Sequence, residues 1–168
     1  MAIGAGWDPF AVAVLAFVTA QRGAELILAR HNTRRLLAQG AFEAAPGHYP
    51  LIVLVHAAWL LGLWMLAPTI RPDPILIGGF ALLQIARLWV LSTLGERWTT
   101  RIIVLPGAPL MRSGPYRFVS HPNYCIVAAE IPLLPCAFGL YGFAVVFSAL
   151  NAAVLTIRIR AEERSLHG

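Results

Sequence analysis

The sequence predicts an all-α integral membrane protein of about five transmembrane helices, with its N-terminus outside, its C-terminus cytoplasmic and its last two helices forming a bent hairpin. Three observations carry this. Hydrophobic residues make up 58% of the 168 and charged residues only 12%, with a mean hydropathy of +0.70, whereas soluble domains are about 25% charged. Five apolar runs recur, most of them near the roughly 20 residues that cross a hydrocarbon core. The arginines gather in alternate connections, which the positive-inside rule assigns to the cytoplasm. All thirteen basic residues are arginine and the net charge is +5. In so apolar a chain that excess marks topology and attraction to a lipid surface, and nucleic acid is not an expected partner.

The first run, Trp7 to Leu28, is the first expected span. Its second half carries Gln21, Arg22 and Glu25, with the arginine and the glutamate three apart on one face, where each neutralises the other. The run Arg30-His31-Asn32-Thr33-Arg34-Arg35 then reads as a cytoplasmic exit. Pro46-Gly47 and Pro50 punctuate a loop over residues 40–50. Leu51 to Ala67 is the second span and contains His56, read equally well as a packing histidine and as a functional one. The Pro72-Asp73-Pro74 turn follows on the far side. Ile75 to Leu94 is the third span; Gln84 and Arg87 share one of its faces, and an arginine at that depth must point at protein or a polar cavity. Residues 95–120 form a basic cytoplasmic connection holding an apolar patch, Ile102 to Gly107, that is too short to span and either lies at the interface or lines a pocket. Asn123 to Phe138 and Gly142 to Ile157 are the last two runs, the first bent by Pro132 and Pro135. Glu130 within it needs a partner, for which Arg87 or a tyrosine hydroxyl is the candidate. The chain ends in a charged amphipathic tail, Arg158 to Arg164.

One polar island stands out, Gly114-Pro115-Tyr116-Arg117-Phe118-Val119-Ser120-His121-Pro122-Asn123-Tyr124. Gly-Pro forces a turn, and Pro122 suits the first position of a helix, where its missing N–H costs nothing. A helix start with Arg117, His121, Tyr116 and Tyr124 around it favours an anionic group. Arg158 and Glu162, four apart on one face, add a donor and a carboxylate from the chain's last helix. Donors, tyrosines and a carboxylate together suit a zwitterionic nucleoside. His121 has no companion at metal-ligand spacing, and no phosphate loop or nucleophile elbow occurs. Cys125 and Cys136 read as reduced core residues, and the N-terminus lacks the charged start and cleavage site of a removed signal peptide.

The island, followed by two apolar runs and then Arg158-Ile159-Arg160-Ala161-Glu162-Glu163, resembles the isoprenylcysteine carboxyl methyltransferase family. Arg22-x-x-Glu25-Leu26, Ala29-Arg30-His31-Asn32 and Leu94-Gly95-x-Arg97-Trp98-Thr99-Thr100-Arg101 are similar to a small bacterial branch that O-methylates alkylpyrones and phenolic lipids. The resemblance implies a single transmembrane methyltransferase domain over residues 1–168 with its catalytic half at about 95–168. It implies S-adenosylmethionine as cofactor, held on the cytoplasmic face of a bacterial inner membrane by Val104, Leu105, Tyr116, Arg117, His121, Pro122, Asn123, Tyr124 and Glu162. Arg158, Glu162 and His121 are the expected catalytic residues, Arg158 steadying the acceptor oxygen and Glu162 or His121 taking a proton. A lipophilic acceptor is expected to enter from the bilayer between helices and to meet Glu25, Arg87, Glu130 and Asn151. The chain departs from the wider family at Ser120, where an arginine is usual, and at Ile126, where glycine is usual. The first removes a cationic donor and the second fills space near the pocket, and both count against a prenylcysteine acceptor.

Two other classes compete. A sterol-reductase-like membrane enzyme has a similar C-terminal arrangement but takes NADPH. A small transporter or assembly protein would use Arg22, Glu25, Gln84, Arg87 and Glu130 as a polar path, although its site would lie near the midplane, often between repeats.

Overall fold

The structure is a computed structural model that describes residues 6–109 and 111–167, without the side chains of residues 48 and 163–167. The chain's first residues and the side chains of Glu163 and Arg164 therefore lie outside the described residues. Five helices run in order: α1 (Pro9–Ala38), α2 (Tyr49–Leu66), α3 (Pro74–Leu94), α4 (Pro122–Ala137) and α5 (Tyr141–His167). Two of them start alike. Asp8 caps α1 through Ala11 N–H at 2.8 Å and Asp73 caps α3 through Ile75 N–H at 2.8 Å, each followed by a proline in the first turn.

Hydrogen bonds between helix ends give their directions. Asp8 N–H donates to Pro68 O and Asp73 N–H to Ala137 O at one end. At the other, Asn32 Nδ2 donates to Gly95 O and Trp98 O, and Arg158 Nη1 donates to Thr100 O. Thus α1, α3 and α5 run toward the arginine-rich end while α2 and α4 run away from it.

Four of these helices are long and apolar enough to cross a membrane, and the protein is an integral membrane protein. The fifth expected crossing, α4, has only 16 residues and two internal prolines, short of the roughly 20 expected of an independent span. It nevertheless begins beside the end of α5 and finishes beside the start of α3, packed along both. Pro135 has no N–H to give the carbonyl of Ile131 one turn back, and the indole Nε1 of Trp59 on α2 donates to that oxygen instead, at 3.1 Å. Gly139, at φ +70°, then ends the helix: its N–H bonds Cys136 O and the next N–H bonds Pro135 O, after which Tyr141 begins α5.

The all-α architecture is present, and two expected boundaries need correcting. The first helix does not stop at Leu28 but continues through the basic run to Ala38, because Arg, Leu and Ala favour the helix they are already in. Residues 40–50 are not all loop. Phe42–Glu43 (β1) pairs antiparallel with Ile103–Val104 (β2), Phe42 opposite Val104 and Glu43 opposite Ile103. That short ladder fixes the apolar patch of residues 102–107 against the end of the bundle.

The interior is layered. At the far end, Ala11, Leu15 and Val18 of α1 meet Trp59 and Leu63 of α2, Phe80 of α3 and Leu134 of α4. At the arginine-rich end a smaller cluster joins Ala29, Val90, Trp98 and Ile126. Between them lies a polar layer contributed by α1, α3 and α4.

Candidate active site

That polar layer is a closed ion network. Arg22 donates to Glu25 at 2.8 Å and to Glu130 at 2.7 Å. Arg87 bonds both carboxylates, Glu25 at 3.1 Å and Glu130 through two nitrogens. Gln84 Nε2 adds a bond to Glu130 at 2.7 Å, and Gln21 Nε2 joins Glu25 to Gln84. Two arginines face two glutamates, so the formal charges cancel. Arg87 and Glu130 are 2% and 1% exposed, which is tolerable at membrane depth only because each is paired.

Nearer the arginine-rich end, the turn Gly114–Arg117 returns the chain onto α3. Gly114 sits at φ +55°, and a Cβ there would lie 2.5 Å from Thr93 Oγ1, so position and conformation both demand glycine. The turn delivers Tyr116 inward. Pro122 then opens α4 as expected and Tyr124 follows in its first turn. From α5, Arg158 Nε donates to Tyr124 Oη at 2.7 Å, and Tyr124 Oη donates to Glu162 Oε2 at 2.5 Å. His121 stacks on Tyr124 with centroids 5.1 Å apart. Burial, and then the Glu162 carboxylate, push the Tyr116 phenol up to about 12 from its ordinary 10.0.

Around this chain of bonds lies a cavity of about 590 Å³ bordered by Val104, Leu105, Tyr116, His121, Asn123, Tyr124, Arg158 and Glu162. Of the residues expected to hold a cofactor, two do not border it. Pro122 is buried as the helix start. Arg117 is exposed with its guanidinium over the Phe118 ring, because successive residues of a tight turn point about 120° apart and Tyr116 takes the inward direction. Ser120 borders the cavity, whereas Ile126 packs behind Trp98 and borders neither this cavity nor the next.

A second cavity of about 330 Å³ runs between α1, α2, α4 and α5, lined mostly by apolar side chains such as Leu26, Ile52, Leu60, Val127 and Leu155. Arg22, Glu25, Arg87 and His56 border its inner part, with Thr19 on α1 and Leu60 on α2 a turn farther from the arginine-rich end. Of the expected acceptor residues, Glu25 and Arg87 border it. Glu130 lies beneath them within the ion network, and Asn151 is buried on α5 away from both cavities. The two cavities share a wall made of Trp98, Thr99, Asn123, Tyr124 and Arg158. At that wall Trp98 Nε1 and Asn123 Oδ1 are buried without a hydrogen-bond partner among the described residues.

Sequence reasoning gave no site role to Trp98, Thr99, Arg101 or Arg112, which also border the larger cavity. The signal was present for the first three, inside the Leu94 to Arg101 run, where a tryptophan sits among threonines and arginines just past a span.

Comparison with known proteins gives the family. The model of the "Isoprenylcysteine carboxyl methyltransferase (ICMT) family" matches residues 75–168, which include all of α3 after Pro74 and the whole of α4 and α5. The uncharacterized protein YpbQ of Bacillus subtilis is 39% identical over 158 residues, covering 91% of this chain and 94% of that one. An uncharacterized protein of Haemophilus influenzae is 27% identical over 162 residues, covering 90% and 91%. No solved structure matches. The resemblance read from the Gly114 to Tyr124 island and the Arg158-to-Glu163 helix thus holds: the chain belongs to the isoprenylcysteine carboxyl methyltransferase family, membrane methyltransferases that use S-adenosylmethionine.

Proposed function

We propose that this protein is an S-adenosylmethionine-dependent O-methyltransferase of the bacterial cytoplasmic membrane, acting on a lipophilic acceptor with its site on the cytoplasmic face. The acceptor oxygen belongs to an alkylpyrone, a phenolic lipid or a prenylcysteine-like carboxylate. The observation that carries this reading is the shared wall: a cavity bordered by several charged side chains and a more apolar cavity meet at Tyr124 and Arg158.

The residues of the larger cavity fit the cofactor's chemistry. Its carboxylate needs donors, and Arg112 and Arg97 supply them; its ammonium and ribose hydroxyls need acceptors, and Glu162 is one. The face of Tyr116 suits a sulfonium cation. When bound, the cofactor supplies an electrophilic methyl group, and the protein's task is to align an acceptor oxygen with it. Arg158 is placed for that: it borders both cavities while two of its nitrogens are held by Tyr124 and Thr100, so its charge is fixed beside the entering oxygen. As the acceptor oxygen takes up that methyl group, its proton would pass to water or to His121 or Glu162, both of which border the larger cavity.

The test is incubation of purified protein with methyl-labelled cofactor and a panel of alkylpyrones, alkylresorcinols and prenylcysteines, with parallel binding of S-adenosylhomocysteine and NADPH. Label on an acceptor oxygen and preference for S-adenosylhomocysteine are expected. Tighter binding of NADPH with no label on any acceptor would defeat the reading.

A further inference from the structure

Within the second cavity, His56 presents a ring nitrogen that the fold leaves without a partner among the described residues. His56 Nδ1 lies 2.9 Å from the carbonyl of Ile52 on its own helix. A carbonyl only accepts, so Nδ1 carries the hydrogen, and in the neutral ring Nε2 holds a lone pair. Nε2 has no partner among the described residues and is not among the sealed-off atoms, while His56 borders the cavity. Its polar neighbours there are already engaged: Glu25 accepts from Gln21, Arg22 and Arg87, and Thr19 donates to Leu15 O while accepting from Trp64. An acceptor nitrogen on a mostly apolar cavity wall favours a ligand that brings it a hydroxyl donor.

Depth fixes where that ligand group must be. Tyr49, at the start of α2, bonds Thr100 beside the shared wall. His56 lies two turns further along the helix, about 10 Å deeper at 1.5 Å per residue. A molecule reacting at the Tyr124–Arg158 wall therefore meets His56 with a second part of itself. That part is uncharged, because the two arginines and two glutamates of the ion network cancel and neither charge is left seeking a counter-ion.

We infer that the inner part of the second cavity is a recognition site for a second hydroxyl on the lipid acceptor, remote from the methylated oxygen and bonded by His56 Nε2. The inference rests on the methyl-acceptor reading of this cavity, but its test needs neither cofactor nor turnover. Trp59 and Trp98 border the cavity, so their fluorescence reports occupancy in protein reconstituted in lipid nanodiscs. The probes are 1,8-octanediol and 1-octanol. Partition into lipid is common to all variants, so the ratio of the two apparent affinities, compared between wild type and His56→Phe, isolates the hydroxyl contact. One hydrogen bond predicts that His56→Phe lowers the diol preference about 3- to 10-fold, and that His56→Gln, which keeps an acceptor, retains part of it. In histidine labelled with ¹⁵N, the Nε2 resonance assigned by its absence in His56→Gln should shift with the diol and not with octanol. An unchanged preference ratio in His56→Phe, or equal ¹⁵N shifts with both probes, overturns the inference. The labelled-methyl panel fails or succeeds separately, so loss of the enzymatic reading and loss of this site are told apart.

Discussion

Tyr124 is both donor and acceptor: it donates a hydrogen bond to Glu162 and accepts one from Arg158, so one phenol sets the positions of a cation and an anion contributed by another helix. Removing only the hydroxyl tests this. Tyr124→Phe keeps the ring on which His121 stacks but frees Arg158 and Glu162 from each other's register. Hydrogen bonds to charged groups contribute about 1.5–3 kcal/mol, so S-adenosylhomocysteine binding by calorimetry should weaken roughly 10-fold or more. His121→Ala and Glu162→Ala should weaken it as well while the protein still folds; wild-type affinity in both would misplace the site. Tyr116 makes a different prediction. Its phenol is held up at about 12, against an ordinary 10.0, by burial and by Glu162. The fold therefore favours the protonated form, a stabilisation complete below pH 10 and lost as pH climbs from 10 toward 12. Thermal unfolding followed through that window should show wild type losing stability more steeply than Tyr116→Phe, which has no phenol to ionise.

At the scale of elements, α4 is the piece whose integrity depends on a neighbour. Two prolines in 16 residues remove two helical hydrogen bonds, and where lipid surrounds a helix no water replaces them. Trp59 answers for one, by its bond to Ile131 O. The same contact pins α2 to the middle of α4, within the cluster that closes the far end of the bundle. Trp59→Phe keeps most of the buried ring and deletes the donor, leaving a buried carbonyl unsatisfied at a cost of about 1–3 kcal/mol. A lower midpoint in thermal or denaturant unfolding is the expected result, and an unshifted midpoint would mean that the Ile131 carbonyl finds another partner. A second close contact joins α2 to α5: a Cβ on Gly62 would lie 2.5 Å from the Phe143 ring, so this glycine sets how nearly those helices approach beside the far-end apolar cluster.

Across the whole molecule, what could be read in advance follows from how conspicuous a polar residue is in an apolar chain. Arg22, Glu25, Gln84, Arg87 and Glu130 announce themselves by depth alone, and the pairing expected of Arg22 with Glu25 and of Arg87 with Glu130 is present. The meeting of Tyr124 with Glu162 was legible for the same reason. Less visible was the β1–β2 ladder, since two-residue strands have no period to detect, and the inward turn of Trp98, a residue at home in core and interface alike. The division into two cavities was not legible at all, because it depends on where five helices leave space. The ion network is what holds that spacing: it ties α1, α3 and α4 between two apolar clusters, and Arg22, Glu25 and Arg87 from it border the second cavity. Breaking a buried pair costs more than deleting it whole. Glu130→Leu leaves Arg22 and Arg87 sharing only Glu25, one positive charge in excess, and should destabilise by about 3–5 kcal/mol. In Arg87→Met/Glu130→Leu the remaining Arg22 and Glu25 still face each other at 2.8 Å and the charge is balanced, so thermal stability should recover most of that loss. A double variant as unstable as the sum of its singles would show that the network acts through packing alone and not through charge.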